Sequence, residues 1–313
     1  MYGRPKFLDS FKCSEDLVRM QIVITGAQGQ LGRTLIDQSQ IMGCGVQAPP
    51  EDDLDITDPA KVDRVISLLR PDLVINTAAY TQVDQAESEE AIAFKVNKGG
   101  CTNLARTCAQ HQIPLLHIST DYVFDGSKGK AYLETDPISP LGVYGRSKAD
   151  GEIEIRKYLK QHMIIRTSWL YGSHGQNFVK TVLNLARTQK TIRVVADQYG
   201  SPTNAGDLAC AILTIAQRLQ FKNEVGWGTY HYCGQGVISW YQFAQKILEL
   251  ARLHADIKTA RIEPITTAEY PTAARRPIYS ALDCSRIQKN FGTHPLPWEQ
   301  SLQGTVKDLM AGH

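Results

Sequence analysis

Short apolar runs and stretches of helical spacing alternate along the first half of the chain. Continuous apolar runs predict strands at residues 21–25, 73–76, 115–119 and 163–166, with a weaker strand at 45–48. Apolar residues three and four apart predict helices at residues 31–41, 58–69, 84–94 and 98–111, and another from Arg146. Since strands that alternate with helices pair in parallel through right-handed crossovers, this pattern predicts an α/β fold with a doubly wound parallel sheet.

The pattern becomes less regular after residue 169. Helices are predicted near 177–187, 207–219 and 239–252, and short strands such as 229–233 lie between turns rich in Gly and Pro. The chain has 313 residues, more than the ~250–300 residues that one hydrophobic core usually serves. We therefore expect a second, smaller lobe over the carboxyl edge of the sheet, where open α/β sheets bind ligands.

The composition of the chain disfavours several classes of protein and of binding partner. The chain has 34 Lys and Arg against 32 Asp and Glu, without the blocks of like charge that mark nucleic-acid-binding tails. Its seven cysteines are widely spaced and form no C-x-x-C pair, which disfavours a disulfide framework and a zinc site. No apolar run reaches the ~18–20 residues that span a bilayer. We expect a protein of the reducing cytoplasm that binds neither nucleic acid nor a membrane.

A glycine-rich turn links the first strand to the first helix. In GAQGQLG, Gly26 allows a tight turn, Gly29 lets backbone amides approach a pyrophosphate, and Gly32 permits close packing of helix on strand. The helix N-terminus adds partial positive charge. The turn predicts a dinucleotide site in a Rossmann domain, to which Gln30 and Leu31 also contribute. We expect residues 1–20 to be a loose extension, 21–168 the dinucleotide-binding domain, and 169–313 mainly the substrate-binding lobe.

The choice of cofactor depends on charge near the second strand. An acidic residue there would hydrogen-bond a 2′-hydroxyl, but the strand ends in Gln47, Ala48 and Pro49. Arg33 lies beside the glycine turn, where it can pair with a 2′-phosphate, although a solvated helix face suits it equally well. We expect NADPH as the cofactor, with NADH as the alternative.

Two further motifs predict the chemistry of the carboxyl edge. The fourth apolar strand leads into Ser119, Thr120 and Asp121, and the spacing of Tyr144 and Lys148 places both on one helix face. A phenol with an ordinary pKa near ~10 donates its proton at neutral pH only if its phenolate is stabilised, as a nearby ammonium does. We therefore expect a carbonyl reductase in which Tyr144 protonates the oxygen and Thr120 hydrogen-bonds it, while nicotinamide supplies hydride.

With these motifs the sequence resembles the extended short-chain dehydrogenase/reductases, and more closely the family of dTDP-4-dehydrorhamnose reductases. The motifs that carry the resemblance are TGAQGQLG (25–32), LDITD (54–58), NTAAYTQVDQAE (76–87), STDYVFDG (119–126), YGRSK (144–148), RTSWLYG (166–172), NFVKT (177–181), DQYGSPT (197–203) and YPTAARRP (270–277). The resemblance implies reduction of the 4-keto group of dTDP-4-dehydro-L-rhamnose to dTDP-L-rhamnose, a step towards surface polysaccharide.

The resemblance also implies roles for matching residues. Those near the cofactor are Asp55 and Ile56 at the adenosine and Ala78, Ala79, Tyr80 and Thr81 in the cleft, besides Tyr144 and Lys148. Those implied to be catalytic are Thr120, Tyr144 and Lys148. Those implied to contact the sugar nucleotide are Val83, Thr120, Asp121, Tyr122 and Trp169, with Arg276 at the diphosphate. A surface pair bonded to carboxylates is the alternative for Arg275 and Arg276, and we expect Asp197, Gln198 and Thr203 to be structural.

One position departs from the family's pattern. Members that form metal-bridged dimers have a Glu two residues after the last glycine of the turn, where this chain has Thr34. A single hydroxyl is a poor ligand for a divalent cation. We expect no bound metal, and a monomer or a homodimer without a metal link.

Other functions share much of this pattern. Another 4-keto sugar-nucleotide reductase, a 4-epimerase or a 4,6-dehydratase would use the same Tyr–Lys pair. Dehydratases have an Asp-Glu pair after the threonine, where this chain has Asp121 and Tyr122. A non-catalytic NADP-binding regulatory subunit, resembling the beta subunit of methionine adenosyltransferase, would keep the glycine turn and the Tyr–Lys helix. The RTSW, DQYGSPT and YPTAARRP segments favour a working sugar site.

Overall fold

The computed structural model describes residues 20–221, 226–255, 257–258 and 261–311. The predicted extension, residues 1–20, lies outside the described residues except for Met20, which is buried. The first half of the chain forms β1 (Gln21–Thr25), α1 (Gln30–Met42), β2 (Gly45–Gln47), α2 (Pro59–Leu69), β3 (Leu73–Asn76), α3 (Glu90–Phe94), α4 (Cys101–His111), β4 (Leu115–Thr120), α5 (Val143–Tyr158) and β5 (His162–Thr167). The remainder forms β6 (Leu170–Tyr171), α6 (Phe178–Thr188), β7 (Thr191–Val195), β8 (Tyr199–Gly200), β9 (Thr203–Asn204), α7 (Ala205–Phe221), β10 (Gly228–His231), β11 (Ile238–Ser239), α8 (Trp240–Ala251), β12 (Arg261–Ile265), α9 (Ser285–Phe291) and α10 (Trp298–Ala311).

Six parallel strands form the main sheet, in the order β10-β5-β4-β3-β1-β2. The predicted α/β fold with a doubly wound parallel sheet is confirmed. Strand order reverses at β1, where Thr25 pairs with Asn76 at the end of β3. Ligands of such sheets bind outside the carboxyl ends of the strands at this switch point, so the functional site is expected there.

Each face of the sheet carries its own apolar core. Because alternate residues of a strand point to opposite faces, Ile22 packs with Leu35 of α1 on one side, and Val23 packs with Leu104 of α4 on the other. Helix α7 covers the first face beside α1, and α2, α4 and α5 cover the second. This two-sided burial holds the strand ends in fixed register.

Side-chain caps begin several helices where the sequence predicts their starts. The Asp58 carboxylate accepts from the Ala60 amide at 2.9 Å, with Pro59 at the first position of α2. Asn177 caps α6 in the same way, and Ser239 forms a capping box with Gln242 at α8. These local signals explain why the predicted starts are accurate.

The helices predicted at 84–94 and 98–111 differ from the structure. A 3₁₀ turn at Gln85–Glu87 precedes α3, and a π-helical turn at Lys95–Gly100 then joins α3 to α4 in one continuous element. Gly100 lies at the end of this turn, where a Cβ would be 2.4 Å from Ile56 Cδ1. The predicted end at Phe94 matches the end of α3, but the α-helix begins at Glu90 and not at residue 84, and the π-helical turn leaves no gap between the two predicted helices.

The strand predicted at 229–233 lies in the main sheet and not in the expected smaller lobe. Its residues form β10, which pairs in parallel with β5 at the edge of the main sheet and is not a strand of a smaller lobe. The fully buried Tyr230 explains this, because it packs into the same core as Met163 and Ile165 of β5.

Much of the chain after residue 169 packs around a separate apolar cluster. Helices α6, α8 and α10 surround it, and β7 and β12 form a parallel pair beside it. Helices α9 and α10 and strand β12 are not predicted from the sequence. The division at residue 168 stays a prediction, and α7 and β10 join the layers of the first half. Among the described residues, no helix combines the length and the apolar character needed to cross a membrane.

Candidate functional site

The glycine turn lies tightly against the neighbouring strand end. Gly26 has a φ of 68°, and a Cβ there would lie 2.5 Å from the Ala78 amide nitrogen. A Cβ on Gly32 would lie 2.3 Å from the Gly26 carbonyl oxygen. Any larger residue at either position would push the turn away from β3 or from α1.

The N-terminus of α1 faces the switch point without a side-chain cap. Gly29 occupies the cap position and supplies no side-chain hydrogen bond, so the first amides of α1 remain available to an anion. Gln30 accepts a hydrogen bond from Asn177 at 3.1 Å, and Leu31 is buried in the core. Arg33 is exposed on the same turn of helix. The groups that this part of the site offers to a ligand are therefore mainly backbone amides, with the Arg33 cation nearby.

The other predicted cofactor residues lie along two loops at the same edge. Asp55 accepts from the Thr57 amide at 2.8 Å, and Ile56 is buried beneath Gly100. The segment 78–81 follows β3; Ala78, Ala79 and Tyr80 are half-buried and Thr81 is exposed. These positions line the carboxyl edge of the sheet, as expected from the order of the strands.

Asn97 of the π-helical turn holds the loop after β3. Its amide accepts from the Tyr80 nitrogen at 2.9 Å and donates to the Tyr80 carbonyl at 3.0 Å and to Ser147 Oγ at 2.9 Å. Ser147 in turn donates to the Tyr144 carbonyl at 2.8 Å. One buried side chain thus connects the cofactor loop to the helix of the Tyr–Lys pair.

Thr120 and Tyr144 meet at the carboxyl end of β4 and the start of α5. The Thr120 hydroxyl donates to Asp121 Oδ1 at 3.1 Å and accepts from the Tyr122 amide at 3.2 Å. Burial raises the pKa of Tyr144 to about 12, although a hydrogen bond with Thr120 acts in the opposite direction. The phenol is therefore protonated at neutral pH, as a proton donor must be.

Lys148 lies on the same helix face but is bonded to β4. Its Nζ donates to the Ile118 carbonyl at 2.7 Å and lies 3.3 Å from His117 Nε2. In the described part of the chain, no hydrogen bond joins this nitrogen to the Tyr144 hydroxyl. Burial lowers the pKa of Lys148, since a charged ammonium loses its water.

The residues assigned to the sugar surround the same strand end. Asp121 is buried, and burial raises its pKa to about 6 against the influence of nearby Ser280 and Thr120 hydroxyls. The Tyr122 ring meets the Tyr144 ring edge to face at 5.5 Å. Val83 is half-buried in the loop that follows β3. Asp121 and Tyr122 thus lie beside Thr120 and Tyr144, the two residues that hold the hydroxyls.

Trp169 has a strained backbone and a fixed ring. Its φ is 48°, and its indole stacks on Trp240 with the ring centroids 3.4 Å apart. A Cβ on Gly200 would lie 2.5 Å from the Trp169 ring, so the indole fills the space between β8 and α8. A bulky residue held in a left-handed conformation is uncommon and often marks a functional position.

Arg276 pairs with a carboxylate in this structure. It forms a two-pronged ion pair with Asp84, with nitrogen-to-oxygen distances of 3.1 and 2.6 Å. It lies close enough to Tyr122 to influence the pKa of that phenol. Arg275 is exposed. Arg276 is therefore paired with Asp84 beside Tyr122.

The residues expected to be structural bond within the second half of the chain. Asp197 accepts from the amide and the hydroxyl of Thr267, and Gln198 donates to the same hydroxyl at 3.0 Å. The Thr203 amide donates to the Trp169 carbonyl at 3.2 Å. Thr203 thus supports the strained tryptophan.

Sequence reasoning missed several residues of the site. Asn76 and Asp84 lie within the NTAAYTQVDQAE motif, and Glu89, which accepts a hydrogen bond from the Tyr80 hydroxyl at 2.8 Å, lies just after it. His117 is visible in the sequence as a polar residue inside an apolar strand. Asn97 and Trp240 gave no signal, because their partners are distant in sequence.

The Thr34 side chain forms a hydrogen bond within its own helix. It is buried, and its hydroxyl donates to the Gln30 carbonyl at 2.8 Å. No group of three or more His, Cys, Asp or Glu side chains arranged to hold a metal lies in the described ranges.

Comparisons with known proteins agree with this geometry. The family model described as RmlD substrate binding domain matches residues 20–311. A dTDP-4-dehydrorhamnose reductase of Aggregatibacter actinomycetemcomitans is 43% identical over 288 residues, 90% of this chain and 97% of that protein.

Two solved structures extend the comparison to the fold. A dTDP-4-dehydrorhamnose reductase of Clostridium acetobutylicum, 37% identical, superposes with a TM-score of 0.86 and covers 93% of this chain and 99% of its own. The Bacillus anthracis enzyme of that name, in complex with NADP, is 37% identical with a TM-score of 0.85, and covers 93% of this chain and 100% of its own.

Proposed function

Because this chain belongs to the dTDP-4-dehydrorhamnose reductase family, we propose that it reduces the 4-keto group of dTDP-4-dehydro-L-rhamnose to dTDP-L-rhamnose, with NADPH as the reductant. NADH is the alternative reductant. The product is an activated deoxysugar for polysaccharide biosynthesis. The observation that carries the proposal is that Thr120 and Tyr144 hold two hydroxyls together at the carboxyl edge that also bears the glycine turn.

The glycine turn fits a dinucleotide. Gly26 and Gly32 leave no room for side chains, and the uncapped N-terminus of α1 offers amide donors to a pyrophosphate. The exposed Arg33 cation is suited to a 2′-phosphate, which distinguishes NADPH from NADH. When bound, the reduced nicotinamide supplies the hydride.

Tyr144 and Thr120 act on the substrate oxygen. Thr120 donates a hydrogen bond to the carbonyl, and Tyr144 gives its proton to that oxygen as negative charge develops. The pKa of about 12 keeps the Tyr144 phenol protonated until then. Lys148, one helical turn further along α5, stabilises the resulting phenolate by its charge.

The pocket wall positions the sugar nucleotide. Asp121 and Tyr122 offer hydrogen bonds to the deoxysugar, and Val83 and the indole of Trp169 supply apolar contact. Arg276 binds the diphosphate by exchanging its ion pair with Asp84 for two phosphate oxygens. Both partners are partly exposed, so the exchange does not leave a buried charge unpaired.

The test is reduction of the sugar nucleotide by the purified protein. Loss of reduced-cofactor absorbance is followed with dTDP-4-dehydro-L-rhamnose and with either NADPH or NADH. We expect Tyr144→Phe to lower kcat by about 10²–10⁴-fold, because the proton donor is lost. Tyr158→Phe is the matched control, since it removes an exposed hydroxyl from the end of the same helix.

Two results would contradict the proposal. One is an unchanged absorbance with the wild-type enzyme. The other is conversion of the sugar to an isomer without net consumption of reduced cofactor, which indicates an epimerase.

A further inference from the structure

A chain of buried polar groups leads across three strands to Lys148. Thr25, Asn76 and His117 lie on neighbouring strands, and each is 0–1% exposed. They connect to the Lys148 nitrogen through hydrogen bonds of 2.6, 3.0 and 3.3 Å in turn. Polar groups at this depth are costly unless each donor meets an acceptor, so the positions of their protons can be worked out.

The orientation of the Asn76 amide follows from its neighbours. The Ala78 backbone amide, which can only donate, lies 3.0 Å from one end of the side chain, and the Thr25 hydroxyl lies 2.6 Å from the same end. That end is therefore the oxygen. The amino end then faces His117 Nδ1 at 3.0 Å and donates to it.

This contact determines which ring nitrogen of His117 carries hydrogen. Nδ1 accepts from Asn76, so the hydrogen of the neutral ring is on Nε2. Burial holds the pKa of His117 well below its usual value, so the ring carries one proton only. The Nε2 hydrogen therefore points at the Lys148 nitrogen.

We infer that His117 is a positioning residue which, directed by Asn76, presents an N–H donor to Lys148 and thereby favours its uncharged amine over its ammonium. An ammonium has only donors and would face the Nε2 hydrogen with another hydrogen. An amine accepts from Nε2 with its lone pair and still donates to the Ile118 carbonyl. The pair accordingly sets the pH at which Lys148 becomes charged.

The consequence for the reaction rests on the proposed function. Reduction then declines as rising pH removes the Lys148 proton, because the Tyr144 phenolate loses its stabilising charge. The other titratable and charged groups that act on this pair are Cys101 of α4 and Glu152 and Arg156 of α5. None of these reaches the Lys148 nitrogen by a hydrogen bond in the described part of the chain, so His117 is its side-chain partner.

The first measurement needs no substrate. Long-range proton–nitrogen correlation on enzyme labelled with ¹⁵N-histidine reports which ring nitrogen is protonated, and the His117 signals are assigned by their loss in His117→Gln. We expect hydrogen on Nε2 and none on Nδ1 across neutral pH. A ring protonated on Nδ1, or on both nitrogens, overturns the inference even if the protein proves not to be this reductase.

The second measurement is the pH dependence of kcat. We expect His117→Phe to move the alkaline decline up by about one pH unit, the tenfold change that loss of one buried hydrogen bond produces. His117→Gln has an acceptor and a donor and is expected to restore the wild-type profile. Asn76→Asp replaces the donor to Nδ1 with an acceptor, which reverses the tautomer, and it is expected to move the decline upwards with the ring retained.

The control is His231→Gln. His231 is equally buried in β10 of the same sheet, but it faces Arg166 and the Tyr132 carbonyl. We expect its substitution to leave the alkaline decline in place. A decline that stays unmoved in both His117→Phe and Asn76→Asp, or that moves equally in His231→Gln, overturns the inference. A wild-type enzyme that reduces no sugar nucleotide refutes only the proposed function.

Discussion

Two buried carboxyl groups near the site have pKa values that are shifted in opposite directions. Glu152 is fully buried and accepts from Ser119, Arg156 and Arg166, and the pairing with Arg166 lowers its pKa to about 2. Asp121 is equally deep, but burial raises its pKa to about 6, and its Oδ2 accepts no hydrogen bond from the described residues. A buried acceptor that lacks a partner costs stability, which supports a role for Asp121 in binding substrate.

We expect Asp121→Asn to stabilise the enzyme at neutral and alkaline pH while weakening activity. The carboxylate of Asp121 is disfavoured in the fold, so its contribution to stability is full below its unfolded pKa and is lost as pH rises through about 6. The advantage of the variant should grow between about pH 4 and pH 6 and reach about 2–3 kcal/mol. Urea unfolding at several pH values measures it.

Glu152→Gln is the control, and we expect it to change the free energy of unfolding in the opposite direction. Its pKa is lowered in the fold, so its stabilisation is present above the unfolded pKa and is lost as pH falls towards about 2. The variant should therefore be less stable than wild type at neutral pH. A difference for Asp121→Asn that does not vary with pH would contradict the argument.

The positions of residues were predictable where a motif carries them. Gly26 and Gly32 lie where only glycine fits, and Thr120 meets Tyr144 as the two motifs indicate. The partner of Lys148 was not predictable, because His117 reaches it only through the packing of α5 on β4. The spacing of Tyr144 and Lys148 pairs the Lys148 charge with Tyr144 alone, whereas the structure bonds Lys148 to β4.

At the scale of elements, the π-helical turn is the feature with the clearest consequence. It places Asn97 between the loop at Tyr80 and Ser147 of α5, which a regular helix would not do. Turns of this kind are rare and frequently lie at functional sites. The turn therefore couples the loop at Tyr80 to α5, which carries the Tyr144–Lys148 pair.

We expect Asn97→Ala to raise the KM for NADPH several-fold and to lower the free energy of unfolding by about 1–3 kcal/mol. Three hydrogen bonds are lost, and the Tyr80 amide is left without its partner. Steady-state kinetics and urea unfolding measure the two effects. Asn290→Ala is the control, because it removes a half-buried hydrogen bond to Tyr230 far from the glycine turn. If both variants raise the KM alike, the coupling is refuted.

Elements were predictable where their signals are local. The caps at Asp58, Asn177 and Ser239 lie within a turn of the helices they begin. The position of β10 in the main sheet was not predictable, because the sequence of a short apolar strand does not determine which strand it pairs with. At the join between α3 and α4, Gly100 lies where Ile56 of a distant segment leaves no room for a side chain, and this contact was not predictable.

At the scale of the whole molecule, the two halves of the chain meet over the glycine turn. His174 lies 2.7 Å from Asp37 of α1, and Asn177 bonds Gln30 at 3.1 Å. Helix α1, which follows the glycine turn, and the start of α6 are thus held together. The sequence predicted that the later part of the chain covers this edge, but it could not predict these pairs.

The metal dependence of the assembled enzyme is the remaining expectation at this scale. Thr34 is buried and its hydroxyl is already donated to the Gln30 carbonyl, so position 34 offers no carboxylate for a cation to bridge two copies. We expect dialysis against EDTA to leave kcat unchanged, and added Mg²⁺ to leave the sedimentation coefficient unchanged. Both quantities are measured on the same sample, kcat by the reductase assay and the sedimentation coefficient by sedimentation velocity. The measurements are repeated with Ca²⁺ in place of Mg²⁺. A sedimentation coefficient that rises with Mg²⁺ and falls again with EDTA would show that other residues of the chain form a metal-linked interface.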